Sequence, residues 1–183
     1  MGETLVVVVT GSECTGKTSL VADLARHFGS PASPEFVREY LDRKASPLDA
    51  TDVEPIARGQ MRGEDEAAAS ASRLVVKDTD LLSTVVYSRH YYGDCPSWIE
   101  AAAHDRLGDV YLLLHPDVPW QADGLQRDRA DDRLGMHALF RRQLAASEAA
   151  VVDVTGSWDT RRDTAVAAVG RALARRSPIC PAD

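Results

Sequence analysis

Residues 11–18 read Gly-Ser-Glu-Cys-Thr-Gly-Lys-Thr, the pattern G-x-x-x-x-G-K-[ST], and they follow an apolar β-branched run from Leu5 to Val9. This is a Walker A phosphate loop. A strand ends, a glycine-bearing loop turns its backbone N–H groups inward, and a helix starts with its partial positive end facing the same anion. Gly11 and Gly16 take turns that a Cβ obstructs. Leu20, Leu24 and Phe28 form one stripe of the helix that follows, and Gly29 stands just past its end. At average residue usage a chain of this length carries the pattern by chance roughly once in two hundred, and the flanking strand and helix make coincidence rarer still. The implied ligand is a nucleoside triphosphate. Gly11 to Ser19, including Ser12, Glu13, Cys14, Thr15 and Gly16, would surround its phosphates, with Lys17 as a point charge on the β- and γ-phosphates and the Thr18 hydroxyl on an accompanying Mg²⁺.

A chain of 183 residues suits one domain, taken as residues 1–176, with residues 177–183, which include two prolines, expected to be a loosely held tail. No apolar run approaches the roughly eighteen residues of a membrane span. The Val run feeds straight into the phosphate loop without a basic n-region or a small-residue cleavage pattern, so it reads as a core strand rather than a leader. Cys14, Cys95 and Cys180 are odd in number and widely spaced, which indicates neither a disulfide framework nor a metal knuckle, and a reducing, cytoplasmic setting is expected. A net charge of −7 argues against a general nucleic-acid surface. No nucleic-acid or membrane partner is therefore expected, and the oligomeric state is left open.

Further along, Ser30 to Pro34 punctuates the chain, and Glu35 to Leu41 is ambiguous between a strand end and a helix start. Thr51 or Asp52 reads as the N-cap of an Ala-rich helix over Val53 to Ala71, with Glu64-Asp65-Glu66 read as a solvated acidic patch. Arg73 to Asp80 is a short apolar strand ending in acids, as a Walker B segment does, so that Asp78 or Asp80 would meet the metal shell held by Thr18. Helices over Leu81 to Tyr92 and around Trp98 to Ala103, a strand over Val110 to Leu114, a helix through Leu144, a strand over Val151 to Thr155 and a helix over Asp159 to Arg175 complete the pattern. Strands alternating with helices predict an α/β fold of the P-loop NTPase type, a parallel sheet with helices on both faces. The phosphate loop and both acids then share the rim beyond the strands' carboxyl ends.

Phosphate loops serve several chemistries. A guanine-selecting [NT]-K-x-D is absent, because Lys17, Lys44 and Lys77 are the chain's lysines and none has that context. A small-molecule kinase needs positive charge brought onto the transferring phosphoryl group, and Arg127, Arg129 and Arg133, following Gly124, fit such a lid. The same arginines also fit an exposed helix start laced with ion pairs. Glu35, Asp78 and Asp80 are candidates for the carboxylate that orients an acceptor hydroxyl. A nucleotide-sensing regulatory ATPase is the alternative from another class. A polynucleotide kinase would need a basic channel that the acidic balance disfavours.

Taken together, the phosphate loop, Glu35 with Arg38-Glu39-Tyr40, Gly59-Gln60, Asp78-Thr79-Asp80, Trp120 with Asp123-Gly124, and Gly156 to Arg161 resemble the ribosylnicotinamide kinase domain of NadR-type proteins over nearly the whole chain. The resemblance implies ATP and Mg²⁺, a riboside or other alcohol as acceptor, and phosphorylation of the 5′-hydroxyl of nicotinamide riboside. It also implies that Glu35, Arg38, Glu39, Asp80, Tyr87, Trp120 and Asp123 serve the acceptor, and that Trp158 and Arg161 lie near the adenine. One position departs: the tryptophan that such kinases carry directly before the glutamate is Pro34 here. Its stacking must be lost or supplied by Tyr87, Tyr91, Tyr92 or Trp98.

Overall fold

A computed structural model describes residues 4–120 and 132–176. The elements run β1 (Leu5–Thr10), α1 (Lys17–Phe28), β2 (Ala32–Ser33), α2 (Phe36–Lys44), a 3₁₀ turn (Ala50–Asp52), α3 (Val53–Ser70), β3 (Leu74–Asp78), α4 (Leu81–Tyr92), α5 (Ser97–Asp105), β4 (Val110–Leu114), α6 (Arg133–Ala145), β5 (Ala150–Val154) and α7 (Trp158–Arg176). The five strands form one sheet in the order β2-β3-β1-β4-β5, and every pairing is parallel. The predicted α/β class is what the chain adopts.

β1, β3 and β4 are buried on both faces, which is why their sequences are continuous apolar runs rather than alternating ones. Val7, Val9, Leu112 and Leu114 pack on one face with Leu20 and Leu24 of α1 and Val169 of α7. On the other face Val8, Tyr111 and Leu113 meet Leu82 and Val86 of α4 and Phe140 and Leu144 of α6. β1 and β3 are direct neighbours in register Val9↔Asp78. That register sets the acid end of β3 level with the entry to the phosphate loop.

Several local expectations are corrected. Glu35 to Leu41 is helix from Phe36 onward, after a two-residue edge strand. Asp52 is the N-cap residue of α3, one of the two positions expected, but its side chain makes no capping bond there; the side-chain cap belongs to the preceding 3₁₀ turn, where Asp49 accepts from the Thr51 N–H at 2.8 Å. Asp52 turns inward instead, accepting from Tyr40 Oη at 2.8 Å and from Lys44. Glu64 is not solvated: it is 1% exposed and accepts from the buried Lys77 Nζ at 2.7 Å and from Arg106 Nη2 at 3.3 Å. A carboxylate this deep survives only because two cations answer it.

Gly59 of α3 has a packing reason. A Cβ there would stand 2.0 Å from the ring of Phe36, so the glycine admits α2 against α3. Gln60 completes the joint by accepting from the Phe36 N–H at 3.0 Å. Gly59→Ala is expected to destabilise the fold by about 1–3 kcal/mol through overpacking, read as a lower urea midpoint at unchanged slope. An unaltered midpoint would mean that α2 is not held by this joint.

Candidate active site

The phosphate loop leaves β1 at Gly11, whose φ of 134° and close approach to the Leu114 carbonyl exclude a side chain. It enters α1 through Gly16 at φ 89°. Here too a Cβ would collide, at 2.9 Å, with the ring of Trp158. Inside the loop the Ser12 carbonyl accepts from Thr15 Oγ1 at 2.9 Å and from Lys17 Nζ at 3.2 Å, and Ser12 is fully buried. Lys17 is therefore folded over its own loop. Glu13 and Cys14 line the neighbouring cavity, while Ser19 is exposed in the first turn of α1.

Thr18 Oγ1 donates to Asp78 Oδ2 at 2.6 Å across the β1–β3 register. The other oxygen of Asp78, Oδ1, is buried and has no hydrogen-bond partner. Burial, then the charge of Glu35, raises the Asp78 carboxyl to about 6, against the opposing pull of the Thr18 hydroxyl and Lys17. A buried acceptor left open beside a phosphate loop is suited to a divalent cation, and Thr18 and Asp78 are the residues that could hold one.

Asp80 takes a different place from the one expected. It is 3% exposed, caps α4 by accepting from the Ser83 N–H at 3.4 Å, and accepts from Tyr111 Oη at 2.5 Å. Burial and the nearby Glu64 raise it to about 6. It does not line the cavity, and the bonds it makes support α4 and β4. Between the two acids Thr79 holds φ 64°, a strained value for a β-branched residue, and presents itself to the cavity.

That cavity, of about 350 Å³, lies between the phosphate loop, α2, α3 and α4. Glu35 and Arg38 line it and pair at 3.0 Å. Tyr87 and Tyr91 line it as well, their rings parallel to within 3° at a centroid distance of 6.0 Å. Burial first, then the carboxylates of Glu13 and Glu35, push the Tyr87 phenol well above its ordinary pKa. Glu39, expected to serve the acceptor, faces away from the cavity, exposed and paired with Arg43 at 3.4 Å, because it lies one residue round the helix from Arg38. Trp120 is 37% exposed and does not line the cavity, and neither does Pro34. Trp98 packs instead with the cluster under α5, beneath the Arg58 guanidinium at 4.4 Å.

Asp123, Arg127 and Arg129 lie outside the described residues. Arg133, the first residue of α6, donates to the Val118 carbonyl at 2.9 Å and to the Cys14 carbonyl at 3.2 Å. It thus ties the chain beyond β4 to the phosphate loop. Arg161 ties more. Fully buried, it donates to the carbonyls of Gly156 at 2.9 Å, Thr15 at 3.2 Å and His115 at 2.8 Å, and to the Asp117 carboxylate. It therefore stands beneath the phosphate loop as a strut. Trp158, 38% exposed, covers Gly16 from the outside.

Sequence reasoning missed the buried roles of Arg161 and Glu64, although both carry a signal. Arg161 shares a stripe with Ala165, Ala168 and Val169, and Glu64 with Ala57, Gln60 and Ala67, so each charge stands at a core position of its helix.

The family model AAA_28, an AAA domain, matches residues 6–161. The chain belongs to that AAA domain family. It is 31% identical over 124 residues to the trifunctional NAD biosynthesis/regulator proteins NadR of Salmonella typhimurium and Escherichia coli, an overlap of 66% of this chain and 30% of each relative. The crystal structure of NadR in complex with NR superposes with a TM-score of 0.84 at 28% identity, covering 93% of this chain and 52% of that one. NadR in complex with NAD and AMP-PNP gives 0.81 at 27%, covering 93% and 50%. Thymidylate kinase from Ehrlichia chaffeensis, 14% identical with a TM-score of 0.62 over 92% of this chain, shares the fold. The resemblance to NadR-type proteins thus extends through the three-dimensional structure. This chain spans about 30% of the length of its curated relatives, and among the described residues no helix is long and apolar enough to cross a membrane.

Proposed function

We propose that the chain is an ATP-dependent kinase for a small riboside, with the 5′-hydroxyl of nicotinamide riboside as its acceptor. The observation that carries this reading is the cavity that opens beside Lys17 and combines a parallel tyrosine pair with carboxylates. Its lining holds Glu13, Glu35, Asp49 and Asp52 against Lys17 and Arg38. Nicotinamide riboside is a flat pyridinium cation, and a cation is held by aromatic faces and acids together. Tyr87 and Tyr91 supply the ring surface that Pro34 does not.

Within this reading, Lys17 and the loop amides bind the β- and γ-phosphates, and Glu35 orients the acceptor hydroxyl and takes its proton. Arg38 holds the Glu35 carboxylate in place. Thr18 and Asp78 would hold Mg²⁺, which supplies charge neutralisation of the phosphates when bound. Similarity to NadR proteins crystallised with NR and with NAD and AMP-PNP supports both ligand classes.

The test is direct. Purified protein is incubated with Mg-ATP and a panel of ribosides and vitamin-like alcohols, and products heavier by one phosphate are sought by mass spectrometry. Nicotinamide riboside is expected to give such a product most rapidly. Phosphorylation of a different acceptor alone would overturn the substrate assignment and leave the kinase. ATP hydrolysis indifferent to every acceptor would overturn the kinase in favour of a regulatory ATPase.

A further inference from the structure

Outside the cavity, the carboxyl ends of β4 and β5 gather three side chains that the kinase reading does not use. His115 directly follows β4, and Asp153 of β5 stands opposite Leu113 in the parallel register, which puts His115 and Asp153 on one face of the sheet. α6 covers that face through Met136 and Phe140, and His137 lies between them in sequence. One donor atom from each of His115, His137 and Asp153 lies within 4.8 Å of the others. None of the three lines the cavity.

Two observations point to a cation. His137 is 8% exposed, its ring faces the Leu114 carbonyl without a well-formed hydrogen bond at either nitrogen, and its ring centroid lies 4.2 Å from that of His115. A backbone carbonyl can answer only one nitrogen of a buried imidazole, and the other is an open cost unless something answers it. Second, positive charge already occupies the mouth of the cluster. Arg141, one turn after His137 on α6, donates to Asp153 Oδ2 at 3.3 Å through Nη1 and approaches His115 Nε2 at 3.2 Å through Nη2. Its side chain is 47% exposed, and it pairs with Asp153 through Nη2 as well.

We infer that His115, His137 and Asp153 form a binding site for a divalent transition metal of the zinc class, with Arg141 as the residue the metal displaces. Two imidazoles and one carboxylate are a zinc donor set that leaves the fourth position to water, whereas Mg²⁺ prefers oxygen ligands. Ligand atoms around tetrahedral zinc stand roughly 3.3 Å apart, so the cluster needs only to contract by side-chain rotation. The guanidinium serves as the resident counter-charge until the metal arrives.

The experiment uses untagged, chelator-stripped protein titrated with Zn²⁺ by calorimetry and with Co²⁺ by visible absorption. One equivalent is expected to bind at this site, with a Co²⁺ spectrum that Zn²⁺ abolishes. His115→Ala, His137→Gln and Asp153→Asn should each weaken it on the order of tenfold or more. Arg141→Gln should tighten it, because the competing cation is gone. Should His137→Gln fail to fold, the more exposed His115 and Asp153 variants decide the matter. Binding unchanged in these variants, or an Arg141→Gln protein that binds more weakly than the parent, overturns the assignment.

Discussion

On the proposed kinase reading, Lys17→Ala is expected to lower phosphoryl transfer to the acceptor by a factor on the order of 10² to 10³ in kcat, the range seen when one preorganised donor is removed from a developing charge. The fold should survive the change. Lys17 Nζ donates to the Ser12 carbonyl at 3.2 Å, but that carbonyl keeps the Thr15 hydroxyl at 2.9 Å. Gly11 and Gly16 hold their backbone angles independently of the lysine. The variant should therefore melt within a few degrees of the parent while its turnover, measured as ADP formation with and without acceptor, collapses. Undiminished turnover would remove Lys17 from the chemistry. A collapse in melting temperature would recast the side chain as a brace.

How much of this could be read in the sequence depended on whether a residue's role is local. The phosphate loop was legible because its spacing is set by one turn and one helix start, and Gly11, Gly16, Lys17 and Thr18 stand where that spacing requires. Val110 to Leu114 was legible as a buried strand for the same reason. Asp78 and Asp80 were indistinguishable as letters, since both end the same apolar run. The β1–β3 register and the turn at Thr79 separate them, sending Asp78 to Thr18 and Asp80 to Tyr111. A partner thirty-one positions away leaves no local mark.

Glu64 shows a different failure. Three consecutive acids look like a solvated patch by composition, but the helical period assigns only Glu64 to the buried stripe, where Lys77 and Arg106 meet it. Period outranks composition there, because a helix exposes its neighbours at i+1 and i+2 while burying i. The same geometry parts Arg38 from Glu39. Arg38 turns toward the cavity and Glu39, 100° further round in an ideal helix, turns to solvent.

Arg161→Ala should produce the largest loss of stability, about 3–5 kcal/mol, because it removes a fully buried charge that other groups have been arranged to receive. Three carbonyls, of Thr15, His115 and Gly156, lose a donor; that of Thr15 is buried and left without its guanidinium partner, at a cost of about 1–3 kcal/mol, while the other two are partly reached by solvent. Asp117 is spared part of this cost, since it is partly exposed and still accepts from the Gly156 N–H at 2.7 Å. Arg161→Lys should recover less than half of the loss: an ammonium restores the charge but lacks the planar fork that reaches three loops at once. The effect should also reach ATP, because Thr15 belongs to the phosphate loop and its carbonyl position depends on this guanidinium. Urea unfolding with and without an ATP analogue separates the two contributions. Under conditions where the Ala variant remains folded, its affinity for the analogue should still fall. Stability within 1 kcal/mol of the parent, together with unaltered analogue binding, would show that the phosphate loop holds its shape without a support from α7.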